Sequence, residues 1–189
     1  MSTRILAFAL CAALPKLALA QTPPPLPAAA EAKDTQMTLG KLARIIEGAP
    51  GSFPDYFDFA ESYGREGGLA ALGMTAVDGG NPFIKEYRLK TPLRVFNRET
   101  RRICLTNAGA MAILEGVDPD GLAKELSLVE HYRSGSKVMF AKILHEETIN
   151  PEEKDEEFRM RRVIRLNVST VATHPGCVFA GCEYRLGSR

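Results

Sequence analysis

The chain has 189 residues and a mass of 20.7 kDa, with 45% hydrophobic and 25% charged residues, which is the composition of an ordinary globular protein. Twenty-four Lys and Arg stand against 23 Asp and Glu, so the overall balance recruits neither nucleic acid nor an anionic membrane surface. Wholesale disorder, collagen and a multi-pass membrane protein are excluded.

Residues 1–20 read as a cleavable export signal. Arg4 precedes an apolar run from Ile5 to Leu14, and Ala18-Leu19-Ala20 meets the A-x-A rule for signal-peptidase cleavage, which sets the expected mature start at Gln21. A membrane span needs roughly 18 or more apolar residues, and Pro15 with Lys16 interrupts this run first. Cys11 follows Leu10 instead of the small residue that precedes a lipidated cysteine. The expected location is therefore the periplasm or the extracellular medium. Residues 21–35 carry Thr-Pro-Pro-Pro-Leu-Pro and an Ala-rich stretch, the composition of a flexible tether. A single α+β domain is expected over 36–189.

Leu39, Leu42, Ile45 and Ile46 recur at helical spacing until Gly48 and Pro50, predicting a short amphipathic helix. Ser52 is placed to cap a second helix, with Pro54 in its first turn and Gly64 as its stop. Phe53, Tyr56, Phe57, Phe59 and Tyr63 all fall on this helix, either to pack on a sheet or to line a ligand cleft. After the Gly64 to Gly68 breaker the pattern turns toward strands: 85–90, 93–97 and 102–106, the last two forming a hairpin around Asn97 to Thr100. Asn107 is expected to cap a helix over 108–115, and the Asp118 to Gly121 turn to open another over 122–128. A strand follows over 137–146, then an acidic loop over 150–157.

The plainest strand is 158–171. Phe158, Met160, Ile164, Leu166 and Val168 alternate with Arg159, Arg161, Arg165, Asn167 and Ser169, a half-buried antiparallel pattern that Arg162 and Val163 interrupt, as at a bulge. His174-Pro175-Gly176 makes a turn, and Val178 to Leu186 alternate again. The expected fold is α+β, with N-terminal amphipathic helices packed on a curved, mainly antiparallel sheet that ends in a long C-terminal hairpin.

An exported chain would keep Cys104, Cys177 and Cys182. The closest in sequence, Cys177 and Cys182, pair if the four residues between them form a turn; a continuous strand would separate them, leaving Cys104 with Cys182. His174, Cys177 and Cys182 also have zinc-ligand character but lack a fourth ligand, and His131 and His145 sit beside Glu130 and Glu146. No metal or cofactor is assigned. No G-x-S-x-G, C-x-x-C, Walker A, G-x-G-x-x-G or H-E-x-x-H motif occurs. Arg94, Arg98, Arg101 and Arg102 surround the first hairpin, and Arg159, Arg161 and Arg165 share one strand face. Guanidinium forks on that face could grip phosphate or carboxylate groups, or they could pair with neighbouring Glu and merely solubilise it. The expectation is a non-enzymatic, exported binding or accessory protein that engages an envelope component or a protein partner, with no nucleic acid and no integral membrane span in the mature chain. A small envelope hydrolase using Cys104 or a carboxylate pair, or a carrier of an apolar ligand with the aromatic helix lining its cleft, are the alternatives. Asn167-Val-Ser169 would be a glycosylation acceptor in a eukaryotic host.

Overall fold

A computed structural model describes residues 37–64, 66–77, 84–155 and 158–188. The expected export signal and tether lie outside the described residues. Four helices and eight strands follow one another as α1 (Leu39–Glu47), α2 (Ser52–Gly64), α3 (Gly68–Ala71), β1 (Met74–Val77), β2 (Lys85–Val95), β3 (Arg98–Thr106), β4 (Gly109–Glu115), α4 (Pro119–Glu125), β5 (Val129–Ser134), β6 (Lys137–Thr148), β7 (Arg161–Ser169) and β8 (Cys177–Gly187). The strands form one open antiparallel sheet in the order β1-β2-β3-β4-β8-β7-β6-β5. Helices precede the sheet and β7 and β8 pair along their full length, so the fold is α+β with a C-terminal hairpin. No helix among the described residues is long and apolar enough to cross a membrane.

Helix α1 begins where the Thr38 hydroxyl accepts the Lys41 N–H and ends at Gly48, whose φ of 64° lets the chain reverse out of the helix. Gly48 has a second constraint. A Cβ there would stand 2.5 Å from a Leu144 methyl and 2.6 Å from the Cys182 sulfur. Leu42, Ile45 and Ile46 are fully buried against the sheet, where α1 lies over β2, β4 and β8. α2 follows with its aromatic side chains over β8: Tyr56 stacks on Tyr184 at 4.6 Å between ring centroids, and Phe53 meets the same ring edge-on at 5.5 Å. The Tyr184 hydroxyl donates to the Ile45 carbonyl at 2.8 Å, so the Ser52 hydroxyl, 2.7 Å away, donates to Tyr184. One phenol thus ties both helices to the sheet.

Several strands differ from the sequence expectation. β2 is continuous across Pro92: the register shifts between Arg88 and Leu93, and the bulge accommodates a residue with no N–H to give. It turns into β3 through Phe96 and Asn97, both at positive φ, a tight two-residue reversal where a longer turn was expected. The segment expected to be a helix over 108–115 is the central strand β4. Its residues from Gly109 to Leu114 are all buried, because β3 and β8 flank it and both of its faces are covered, so the alternation that marks a strand is lost. Gly109 is required there: a Cβ would sit 2.0 Å from the Cys182 carbonyl oxygen. The bulge expected near Arg162 is on the neighbouring strand, at Leu144 of β6, while β7 keeps an unbroken register with β8. Arg162 instead takes a helix-side position, its guanidinium 4.8 Å from the Phe53 ring centroid.

Candidate functional site

Antiparallel pairing places directly opposed residues on the same face, so the register assigns every side chain to one of two sides. The helix-covered side holds the main core, including Leu105, Ala110, Cys182 and Leu166 across one row. The opposite side carries a smaller apolar cluster of Cys104, Met111, Ile113, Cys177 and Phe179. Neighbouring residues of β2 lead to two different polar arrangements on these two sides.

Glu86, on the outer side, is buried, with a side chain only 2% exposed. Its carboxylate takes two bonds from the Arg102 guanidinium, 2.7 Å from Nε and 3.1 Å from Nη2, and a third contact of 3.0 Å from His174 Nε2. A carboxylate only accepts, so His174 presents an N–H from Nε2, and its Nδ1 lies 2.9 Å from the Thr173 hydroxyl. The Arg102 hydrogen bonds hold the Glu86 carboxyl below the usual carboxylate range, with His174 adding to the effect. Arg102 also pairs with Glu115 and lies 3.7 Å from the Cys177 sulfur. The His174 ring stands edge-on to Phe179, 5.2 Å between centroids. This arrangement pins the β7–β8 connection onto the sheet. Glu86 and His174 are buried within it and hydrogen-bonded to each other, while Glu115 reaches solvent.

Lys85, on the helix side, has the opposite surroundings. Its ammonium donates to the Tyr63 hydroxyl at 2.9 Å and stands 5.6 Å from that ring's centroid. That hydrogen bond holds the Tyr63 phenol below its ordinary value and holds the Lys85 ammonium above its own. No carboxylate pairs with Lys85 among the described residues. Both side chains line a cleft of about 670 Å³ between α2 and the β3–β4 turn, walled by Tyr56, Phe59 and Leu105 and floored by the turn at Asn107. Glu183 and Arg185, which alternate along β8 with the helix-side Cys182 and Tyr184, also border it and pair with each other at 2.8 Å. The volume is in the range of a drug-sized ligand.

The expected anion-gripping arginines are distributed differently. Arg161 pairs with Glu146 across β6 and β7 at 2.8 Å, Arg159 donates to the Glu153 carbonyl at 2.8 Å, and Arg165 lies directly opposite Glu183 and Ile143 in the ladder. Of the first-hairpin set, Arg98 forms a two-pronged pair with Glu125 and Arg102 belongs to the Glu86 cluster. Cross-strand neutralisation accounts for Arg161. Asn167 is buried in the middle of β7, away from the surface a glycan would need.

The expected Cys177–Cys182 pairing is corrected. All three described cysteines are free. Cys177 and Cys182 lie on the continuous strand β8 and face opposite sides, about 16 Å apart along an extended chain, far beyond the disulfide range. The alternative partner fails for the same reason, since Cys104 faces the outer side and Cys182 the helix side. Burial pushes the Cys104 thiol up to about 12 and raises Cys182 as well, so neither is a ready nucleophile. The His174, Cys177 and Cys182 zinc grouping is split by the same two-sidedness. Among the described residues no group of three or more His, Cys, Asp or Glu side chains could share a metal ion.

Sequence reasoning singled out the aromatic helix but missed Lys85 and Glu86, whose partners lie 22 and 88 residues away. Comparison with known proteins finds no matching family model, no similar curated protein and no similar solved structure.

Proposed function

We propose that this chain is an exported, non-enzymatic binding protein that takes a small ligand into the cleft between α2 and the β3–β4 turn. The observation that carries this reading is the cleft itself: a ligand-sized space walled by Tyr56, Phe59 and Leu105, with Lys85 opposed by a phenol and, among the described residues, by no acid. Aromatic walls supply apolar contact area, and a single cation supplies orientation, the division of labour found in ligand sites. The buried, high-pKa Cys104 gives the hydrolase alternative no activated thiol. The polar face alternative is weakened by the ion pair that occupies Arg161.

Export rests on the leader, and N-terminal sequencing of the protein recovered outside the cytoplasm should begin at Gln21. Intact Met1 on a soluble cytoplasmic product would overturn it. For the cleft, Ala60→Trp fills the space from α2, where Ala60 is exposed on the wall. Small molecules that raise the melting temperature of the wild-type protein should lose that effect in the Trp variant. Ligands that stabilise both proteins equally would place the binding elsewhere.

A further inference from the structure

We infer that the cleft selects an amphiphilic monoanion, a carboxylic acid carried on an apolar body, with the carboxylate at Lys85 and the body against Tyr56, Phe59 and Leu105. This inference rests on the cleft being the binding site and adds the ligand's chemical class and its orientation.

The charge pattern of the lining sets the class. Among the described residues two cations and one carboxylate border the cleft, and the carboxylate, Glu183, is already bound to Arg185 at 2.8 Å. The remaining charge is Lys85, whose hydrogen-bond partner is a neutral hydroxyl. A phenol satisfies a donor without neutralising the charge, so an incoming carboxylate exchanges a bond between an ammonium and a neutral hydroxyl for an ion pair with the charge on both partners. Tyr63 is placed to help. Once its oxygen no longer accepts from Lys85, the hydroxyl can donate to the second carboxylate oxygen, which gives a two-point clamp of ammonium and phenol.

Orientation follows from the sheet. Lys85 is on β2 and Arg185 on β8, three strands away in the order β2-β3-β4-β8, or about 14 Å at ordinary strand spacing. One carboxylate cannot bridge them. The acid end therefore sits at Lys85, and the apolar body runs toward β8 beneath α2. Both an aliphatic acid and an aromatic acid have this chemistry.

Four probes separate these arms: decanoate with decan-1-ol, and 2-naphthoate with 2-naphthol, titrated calorimetrically at pH 7.5 into the protein without its leader. At least one acid should bind ten times or more tightly than its neutral partner. Lys85→Gln should remove that advantage, whereas Lys90→Gln, which deletes a charge outside the cleft, should keep it. The better acid of the two identifies the body as aliphatic or aromatic. Acids and neutral analogues binding equally in the wild type, with Lys85→Gln without effect, would overturn the anion assignment and leave the cleft reading standing. Acid binding that survives Ala60→Trp would overturn the cleft reading as well. Failure of all four probes to bind overturns the proposed ligand class.

Discussion

Lys85 and Glu86 are consecutive residues of one strand, yet the pleat sends them to opposite sides of the sheet with opposite outcomes. Glu86 is matched on every lone pair it presents to Arg102 and His174 and is shut away from solvent. Lys85 lines an open cleft with the phenols of Tyr63 and Tyr87 as neighbours and, among the described residues, no carboxylate paired with it. A charge whose partners are all supplied by the fold serves the fold. A charge the fold leaves without a counter-ion is free to serve something else, and one residue of displacement along β2 decides between the two.

The comparison breaks most readily at Glu86. Glu86→Ala leaves His174 without its acceptor and Arg102 with one fewer counter-ion, and should cost about 3 kcal/mol in urea-induced unfolding, the scale of breaking one partner out of a buried pair. A variant as stable as the wild type would show the cluster to be dispensable. The same site has a pH signature. Because the native Glu86 carboxyl is held below the ordinary carboxylate value near 4.3, its contribution is complete above that value and is lost as pH falls through the depressed native one. Unfolding free energy followed from pH 7 to pH 3 should decline more steeply in the wild type than in Glu86→Gln, which has no carboxylate to protonate. Parallel curves would remove Glu86 from the acid sensitivity.

A smaller loss is expected at Tyr184→Phe, which leaves the Ile45 carbonyl without a side-chain donor and Ser52 without its acceptor: about 1 to 2 kcal/mol by denaturant titration. The smallest effect belongs to Lys85. Lys85→Gln should leave the denaturation midpoint within experimental error while changing ligand affinity, and a large loss of stability would move Lys85 into the same class as Glu86.

Much of the framework is written locally. The spacing of Leu42, Ile45 and Ile46 marks α1, Pro54 in the first turn and the Gly64 stop bracket α2, and the alternation of Ile164, Leu166 and Val168 marks β7. Ser52, expected to cap α2, is its first residue and turns its hydroxyl to Tyr184. Where both faces of a strand are covered the alternation vanishes, and the run from Ala110 to Leu114 resembles a helix by composition. At the other extreme β5 is exposed at every residue, so no buried stripe announces it. Arg162 looked like an interruption because a cation standing over Phe53 occupies an inward position by lending its charge to a ring. The site was half legible. Its aromatic wall is contiguous in sequence on α2, whereas the Lys85–Tyr63 contact depends on how β2 is placed against that helix, and pairing of Arg161 with Glu146 depends on the β6–β7 register. Such contacts are properties of the ladder, not of any segment read alone.

The distribution of the thiols has a practical meaning. Because Cys177 and Cys182 sit back to back across the sheet and Cys104 faces away from Cys182, neither of the other two described cysteines can reach Cys182 within the folded molecule. Cys182 should therefore remain a reduced thiol in the folded molecule whether glutathione, air or dithiothreitol is present in the refolding buffer.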